Sequence, residues 1–366
     1  MTPSNGEGSF AGTSPAKSVS DAYRGFSSRR MTFILGLGAI LLLLAIVSIS
    51  VGSVSIPLRD VVGALFLGEE GLYNTIIWNM RIPRVIVGAI AGASLAIAGA
   101  TMQCILRNPL ASPYTLGLSQ AAAFGASFAI VVFGAGTMQS ASTTSVLINN
   151  PYAVTLCAFA GALLGTAIII LLSALTRVTP EAMILAGVAI GSIFSAGITA
   201  MQYFADSVQL SSMVYWTFGD LGRSTWDYVG ILLLVSVPIF CLFIYNRWNY
   251  NAIDAGEETA RSLGINVPRV RMIGMVCSSL LAAVVVSLMG IIGFVGLLAP
   301  HIVRRVIGGD NRYLLPASAL AGAIILMGSD TLARTIVSPL VLPVGVITSF
   351  LGGPLFIYLL IRGYRK

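Results

Sequence analysis

From residue 32 onward the chain is a succession of long apolar runs, broken at intervals by short clusters of Arg, Pro, Asn and Asp. A bilayer hydrocarbon core about 30 Å thick takes about 20 mostly apolar residues in one helical crossing. The runs predict spans at about 32–51, 84–105, 114–134, 152–173, 181–204, 228–246, 270–290, 291–307, 313–334 and 343–361, about ten in all. The window 291–307 is short, contains Pro300 and ends in Arg304 and Arg305. If it did not span, every later helix would invert. A membrane barrel would show segments of about ten residues alternating in polarity, whereas the stretch from Phe33 to Val51 is continuously apolar. The expected fold class is an all-α polytopic membrane protein.

Residues 1–31 are rich in Ser, Gly, Thr and Ala and hold few large apolar side chains, so they cannot bury a core and are expected to form a disordered cytoplasmic tail. The run at 32–51 is too long and too late for a signal-peptide core and is counted as a retained span. With the N-terminus inside, only Arg59, Arg81, Arg84, Arg223 and Arg334 of the 21 basic residues fall outside. That bias places both termini in the cytoplasm. The net charge of +7 therefore reports topology and gives no reason to invoke nucleic acid. Trp78, Trp216, Trp226 and Trp248 fall at span ends, where an amphipathic ring suits the lipid headgroup level.

A hydrophobic share of 56% and a charged share of 10% stand well away from soluble averages of roughly 45–50% and 25%. A large soluble catalytic domain is excluded. The four cysteines are scattered singly and read as small core residues, and one histidine, His301, cannot build a metal site alone. No metal and no cofactor is expected. The only lysines, Lys17 and Lys366, lie at the ends of the chain, so there is no phosphate loop of the GxxxxGK[ST] kind. HExxH, GxSxG and paired intramembrane carboxylates are absent as well. Asp330 is the one carboxylate placed within a span, and Arg334 four residues on invites a structural ion pair.

The longest polar cytoplasmic loop holds Asp254-Ala-Gly-Glu257-Glu258-Thr-Ala-Arg261-Ser262-Leu263-Gly264. Asp254 is a candidate N-cap with Glu257 at N3, Glu258 adds charge in the first turn, Arg261 sits near the last, and Gly264 supplies a left-handed stop. Three further signals are Arg81-Ile-Pro-Arg84, Gln103-Cys-Ile-Leu-Arg107-Asn108-Pro109-Leu-Ala, and Gly293-Phe-Val-Gly-Leu-Leu-Ala-Pro300-His301-Ile-Val-Arg304-Arg305. Together with Leu342-Pro-Val-Gly345 and Gly352-Gly-Pro-Leu-Phe356, these segments resemble the signature motifs of the iron-siderophore, haem and vitamin B12 permease family. Those proteins are the membrane subunits of type II ATP-binding cassette importers. The resemblance runs from about residue 32 to 362.

The resemblance implies two copies of a ten-span subunit around a central path, two cytoplasmic ATPase subunits, and an extracytoplasmic binding protein that delivers a metal chelate. The chain would be a transport subunit in the cell membrane, in contact with lipid and not itself an enzyme. For the matching positions it implies that Arg81, Arg84 and Arg334 dock acidic residues of the binding protein. The capped helix at 254–264 would be the coupling element, with Glu257, Glu258, Arg261 and Ser262 on the ATPase surface and Leu263 and Gly264 seating its end. Gln103, Arg107, Asn108 and Pro109 are expected to end the second span and turn the chain, and His301 to be hydrogen-bonded within the bundle. The segments from about 81 and 268 both open on Pro-Arg pairs and lie five spans apart, which suggests an inverted five-plus-five repeat. The competing readings are an ion-gradient-driven secondary transporter and a non-transporting membrane sensor. A secondary transporter should carry intramembrane Asp, Glu or Lys, and apart from Asp330 the spans carry none.

Overall fold

The computed structural model describes residues 19–52, 56–64, 71–134, 136–138, 146–148, 150–176 and 180–363. Residues 1–18 of the expected tail, and the counted charges Lys17, Arg177, Arg365 and Lys366, lie outside them. From Val19 the chain is already helical, so residues 19–31 begin the first helix (α1, Val19–Ser50) and are not part of a disordered tail.

Two short helices, α2 (Leu58–Val62) and α3 (Leu72–Ile76), lead through a π-turn at Ile77–Arg81 into α4 (Ile82–Ile105). Then come α5 (Leu118–Val132), α6 (Pro151–Thr176) and α7 (Pro180–Phe204). After α8 (Ser207–Thr217) the order is α9 (Trp226–Tyr245), α10 (Arg247–Ala255), α11 (Glu257–Ser262) and α12 (Val267–Met289). The chain finishes with α13 (Val295–Ile307), α14 (Asn311–Thr335) and α15 (Val344–Gly363). Among the described residues seven helices are long and apolar enough to cross a membrane, and α5 and α15 add two shorter apolar ones. With α13 they match the ten expected windows one for one. At 13 residues and 1.5 Å per residue, α13 is about 20 Å long, and the non-helical residues 290–293 before it make up the rest of the return from Met289, which meets Asp220, to Arg304, which faces Asp254.

Several elements between the spans were not expected, α2, α3 and α10 among them. A two-stranded antiparallel ribbon pairs Gly136–Met138 with Val146–Ile148. The helix α8 starts at Asp206, whose carboxylate accepts from the Val208 and Gln209 N–H groups while Gln209 Oε1 accepts from the Asp206 N–H.

The centre of the bundle is α4, packed against α12, α13, α14 and α9. Glycine lets these backbones touch, as is common between membrane helices. A Cβ on Gly99 would fall 1.7 Å from the Gly296 carbonyl oxygen of α13, and one on Gly92 would fall 2.4 Å from that of Gly322 on α14. The start of α12 meets the end of α4, where Arg271 Nε donates to the Ile105 carbonyl at 3.0 Å. The segments that open on Pro83-Arg84 and Pro268-Arg269 therefore run in opposite directions. Trp216 departs from the interfacial expectation. At 2% exposure it is core, because α8 folds inward, whereas Trp78, Trp226 and Trp248 stay 40–56% exposed. Cys241 likewise is exposed rather than core.

Candidate functional site

The chemistry collects at the two ends of the bundle. At one end Arg81, Arg84 and Arg334, from two helices about 250 residues apart in sequence, line one cleft of about 370 Å³. Sequence spacing paired Asp330 with Arg334, and their Nε–Oδ2 distance is 3.1 Å. Arg84 was not foreseen in that pair, yet it holds the same carboxylate with Nε at 3.0 Å from each oxygen and Nη2 at 2.7 Å from Oδ1. Arg84 also reaches Asp220 Oδ1 at 3.8 Å. Arg334 donates to Ser48 Oγ at 2.7 Å and to the Ser48 and Val51 carbonyls at 3.1 Å. Arg81 donates to the Ser50 carbonyl at 2.9 Å and to that of Ile49. Both ends of this web satisfy the last carbonyls of α1, which no helical N–H can reach. Three guanidiniums against Asp330 and Asp220 leave one net positive charge, so the cluster is far less basic than its arginines alone suggest.

The opposite end carries the 246–268 loop. Here the structure corrects the expected capping box. Asp254 lies inside α10, and the residue that caps α11 is Gly256, at φ 140°, with no side-chain hydrogen bond. The helix that follows has six residues, Glu257–Ser262. Glu257 sits at its first position, and its carboxylate bridges Arg261 at 2.8 Å and Arg271 at 3.3 Å. Burial raises the Glu257 carboxyl, but the Arg271 charge and the two hydrogen bonds outweigh it and hold the group below the usual carboxylate range. Gly264 does take the left-handed stop, at φ +79°. Leu263, expected to seat the helix end, points outward and is 67% exposed. The seat is instead Ala260 with Ala252, Ile253 and Val267. Glu258, Arg261, Ser262, Leu263 and Gly264 are exposed together.

Beneath this loop lies a polar knot that sequence reasoning missed. Asp310, just before α14, accepts from Arg30 Nη1 at 3.1 Å, Asn251 Nδ2 at 3.0 Å and Arg312 Nη2 at 2.6 Å. Burial raises this carboxyl, but the Arg312 and Asn251 bonds prevail and bring its pKa down to about 2. Asn251 Oδ1 accepts from the Asn311 N–H at 2.7 Å, and Asp254 Oδ2 accepts from Asn311 Nδ2 at 3.2 Å. Asp254 also faces Arg304 Nη1 at 3.8 Å. The knot thus joins α1, α10, α13 and α14. The one available signal was Asp310-Asn-Arg312 opening a span, an N-cap whose partners are far away in sequence.

The remaining expected residues end α4. The Arg107 N–H donates to the Cys104 carbonyl and that of Asn108 to the Gln103 carbonyl, both at 3.0 Å, with Arg107 at φ 47°. This is a Schellman ending with a non-glycine residue at its left-handed position. Asn108 Oδ1 accepts from the Leu110 N–H at 2.8 Å, with Pro109 between them in an exposed turn. Gln103 Nε2 crosses to the Leu297 carbonyl of α13 at 3.3 Å. Pro300 is buried within α13. The His301 Nε2 is also buried, and no hydrogen-bond partner meets it among the described residues, contrary to expectation.

Two furnished ends on a ten-helix bundle describe a protein that works across a membrane, and comparison with known proteins says which kind. The profile of the FecCD transport family matches residues 40–362. The chain belongs to the FecCD transport family. A relative from Methanocaldococcus jannaschii, described provisionally as an ABC transporter permease, is 53% identical over 95% of this chain and 99% of its own. An Fe(3+)-citrate import system permease of Bacillus subtilis is 37% identical over 92% of this chain and 97% of its own. A solved inward-facing structure, provisionally described as a metal-chelate type ABC transporter, superposes with a TM-score of 0.78 at 27% identity, covering 90% of this chain and 99% of the other. As a FecCD member the chain is the membrane permease subunit of an ABC importer, and ATP hydrolysis belongs to a separate subunit.

Proposed function

We propose that this chain, paired with a second permease copy in the cytoplasmic membrane, carries a metal chelate inward on energy from ATPase subunits docked at the 246–268 loop. The observation that carries the reading is the exposed group Glu258, Arg261, Ser262 and Leu263, held by the knot at Asp310 to three bundle helices. An apolar side chain standing 67% exposed amid charges suits a partner surface better than water. A push there reaches α13 and α14 through Asp254–Arg304 and Asn251–Asn311, and such rigid-body tilting switches access by population shift. At the other end, the one net positive charge that Arg81, Arg84 and Arg334 keep over Asp330 and Asp220 would steer acidic residues of a delivery protein to the cleft. Three of the relatives are named for Fe(3+)-citrate, vitamin B12 and hemin import, which supports a metal chelate as cargo.

The path itself we assign to α7. Its exposed Ser192 and Ser195 share a groove of about 480 Å³ with Gln120 and Thr115. An amide and hydroxyls at that depth fit a watered path closed by the second copy better than a face open to lipid.

The test is reconstitution with the ATPase and the binding protein in vesicles, offering labelled ferric citrate, hemin and cobalamin as separate probes. Accumulation of one of them that requires ATP is the expected result. Uptake that follows an imposed ion gradient without ATPase would overturn the assignment.

A further inference from the structure

On α4, the most enclosed helix of the bundle, one face stays only partly covered, with Ala89 and Ala93 on it. That face is the floor of a groove of about 480 Å³, walled by α9 through Val237 and Ile244 and by α14 through Pro316 and Leu320. The groove lies wholly within spanning helices, and Leu41 of α1 is part of its lining. It exists because α1 leans on α14 through Phe33, Ile34 and Leu37 and leaves the α9 side open. A void of this size with nothing in it would forfeit the dispersion contacts that a dense bundle otherwise keeps.

Both walls run out into arginine at the end that carries the coupling loop. On α14, Arg312 precedes Pro316 by four residues and so extends the same helical stripe. Beyond α9, Arg247 follows Ile244 and donates to its carbonyl at 2.8 Å. Trp248, 56% exposed, follows Arg247 in the chain and has the Arg312 guanidinium 4.7 Å from its ring centre. Arg247 joins Arg30 and Arg312 at this rim, and the last two share the Asp310 carboxylate. An apolar trough that ends in a tryptophan and a basic rim has the profile of one lipid molecule, tail first.

We propose that an anionic membrane phospholipid occupies this groove, one acyl chain lying along Ala89 and Ala93 and its phosphate against Arg247 and Arg312. It serves as the wall that α1 and α9 fail to close. The site is separate from the substrate path on α7 and does not depend on which chelate is carried.

The full-length protein is placed in nanodiscs containing phosphatidylglycerol with a photoreactive group in its acyl chain, illuminated, and mapped by peptide mass spectrometry. Labelling concentrated on the Ala89–Ala93 stripe is expected, well above that on Leu156 and Leu164, which face outward from α6 at 68% and 52% exposure. Equal labelling of α4 and α6 overturns the proposal. In native mass spectrometry, Arg247→Gln should lower the ratio of retained phosphatidylglycerol to phosphatidylcholine about fivefold, the effect of one basic residue near an anionic surface. An unchanged ratio overturns it too. Leu41→Trp adds bulk to the α1 side of the groove and should reduce retained lipid, and full retention counts against the groove. A Leu41→Cys variant that cross-links quantitatively to a second copy would give the groove to that copy instead.

Discussion

Removing the Asp330 carboxylate should be among the most damaging single changes outside the apolar core. The group is 3% exposed and sits between Arg84 and Arg334, themselves 15% and 7% exposed. It accepts from Arg84 Nε and Nη2 and pairs with Arg334 Nε, at distances of 2.7–3.1 Å. Asp330→Ala leaves two buried guanidiniums facing each other, and breaking a buried pair from one side costs about 3–5 kcal/mol. Unfolding the protein from lipid bicelles with increasing detergent, and comparing midpoints and slopes with the wild type, measures that cost. The shared carboxylate also couples Arg84 to Asp330. Once Arg84 is Ala, its share of the loss has already been taken, so the double variant Arg84→Ala/Asp330→Ala should fall short of additivity by about 1–3 kcal/mol. A single-variant loss under about 1 kcal/mol, or strict additivity, would refute the account of Asp330 as the hub of the cleft. Binding-protein affinity should weaken in the same variant, because Arg84 and Arg334 lose the group that orients them.

The other predictions concern the loop, its knot and the helix contacts. Gly99→Ala should cost about 3 kcal/mol or more, since its methyl group would fall 1.7 Å from a backbone oxygen that cannot step aside, and folded yield in detergent reports it. Gly264→Val should cost about 1–2 kcal/mol, because the site has open space but φ +79°, and it should lose transport even where it folds. Leu263→Asp should leave stability within about 0.5 kcal/mol yet weaken ATPase co-purification and end the stimulation of ATP hydrolysis by loaded binding protein. Asp310→Asn should show a pH signature. A carboxyl lowered to about 2 stabilises the fold above its unfolded value near 3.8, and that stabilisation fades as pH falls through the folded value. The gap between wild type and variant should therefore close from about pH 4 to about pH 2.

Ten spans, their order and the two chemically distinct ends were legible in the sequence, because hydrocarbon leaves a chain no choice. Each crossing must satisfy its own backbone hydrogen bonds and hide its polar groups, so the apolar run is the helix. The left-handed stop at Gly264 and the pairing of Asp330 with Arg334 were legible as well, since both rest on neighbours within one turn. Asp254 shows where local reasoning gave out. Its spacing to Glu257 fits a capping box, but an arginine on α13 and an asparagine on α14 lie within its reach and hold it inside α10.

The same holds for Arg84, whose partner is 246 residues away, for Asp310, whose partners Arg30 and Asn251 lie 280 and 59 residues away, and for Trp216, drawn into the core by the fold of α8. Sequence fixes which groups each helix carries along its length, because a helix places every residue relative to its neighbours within a turn or two. Only the packing decides which stripe of α4 stays open and which charges share a cleft. Those outcomes depend on which helices become neighbours, and glycines 92 and 99 set that by letting particular backbones touch.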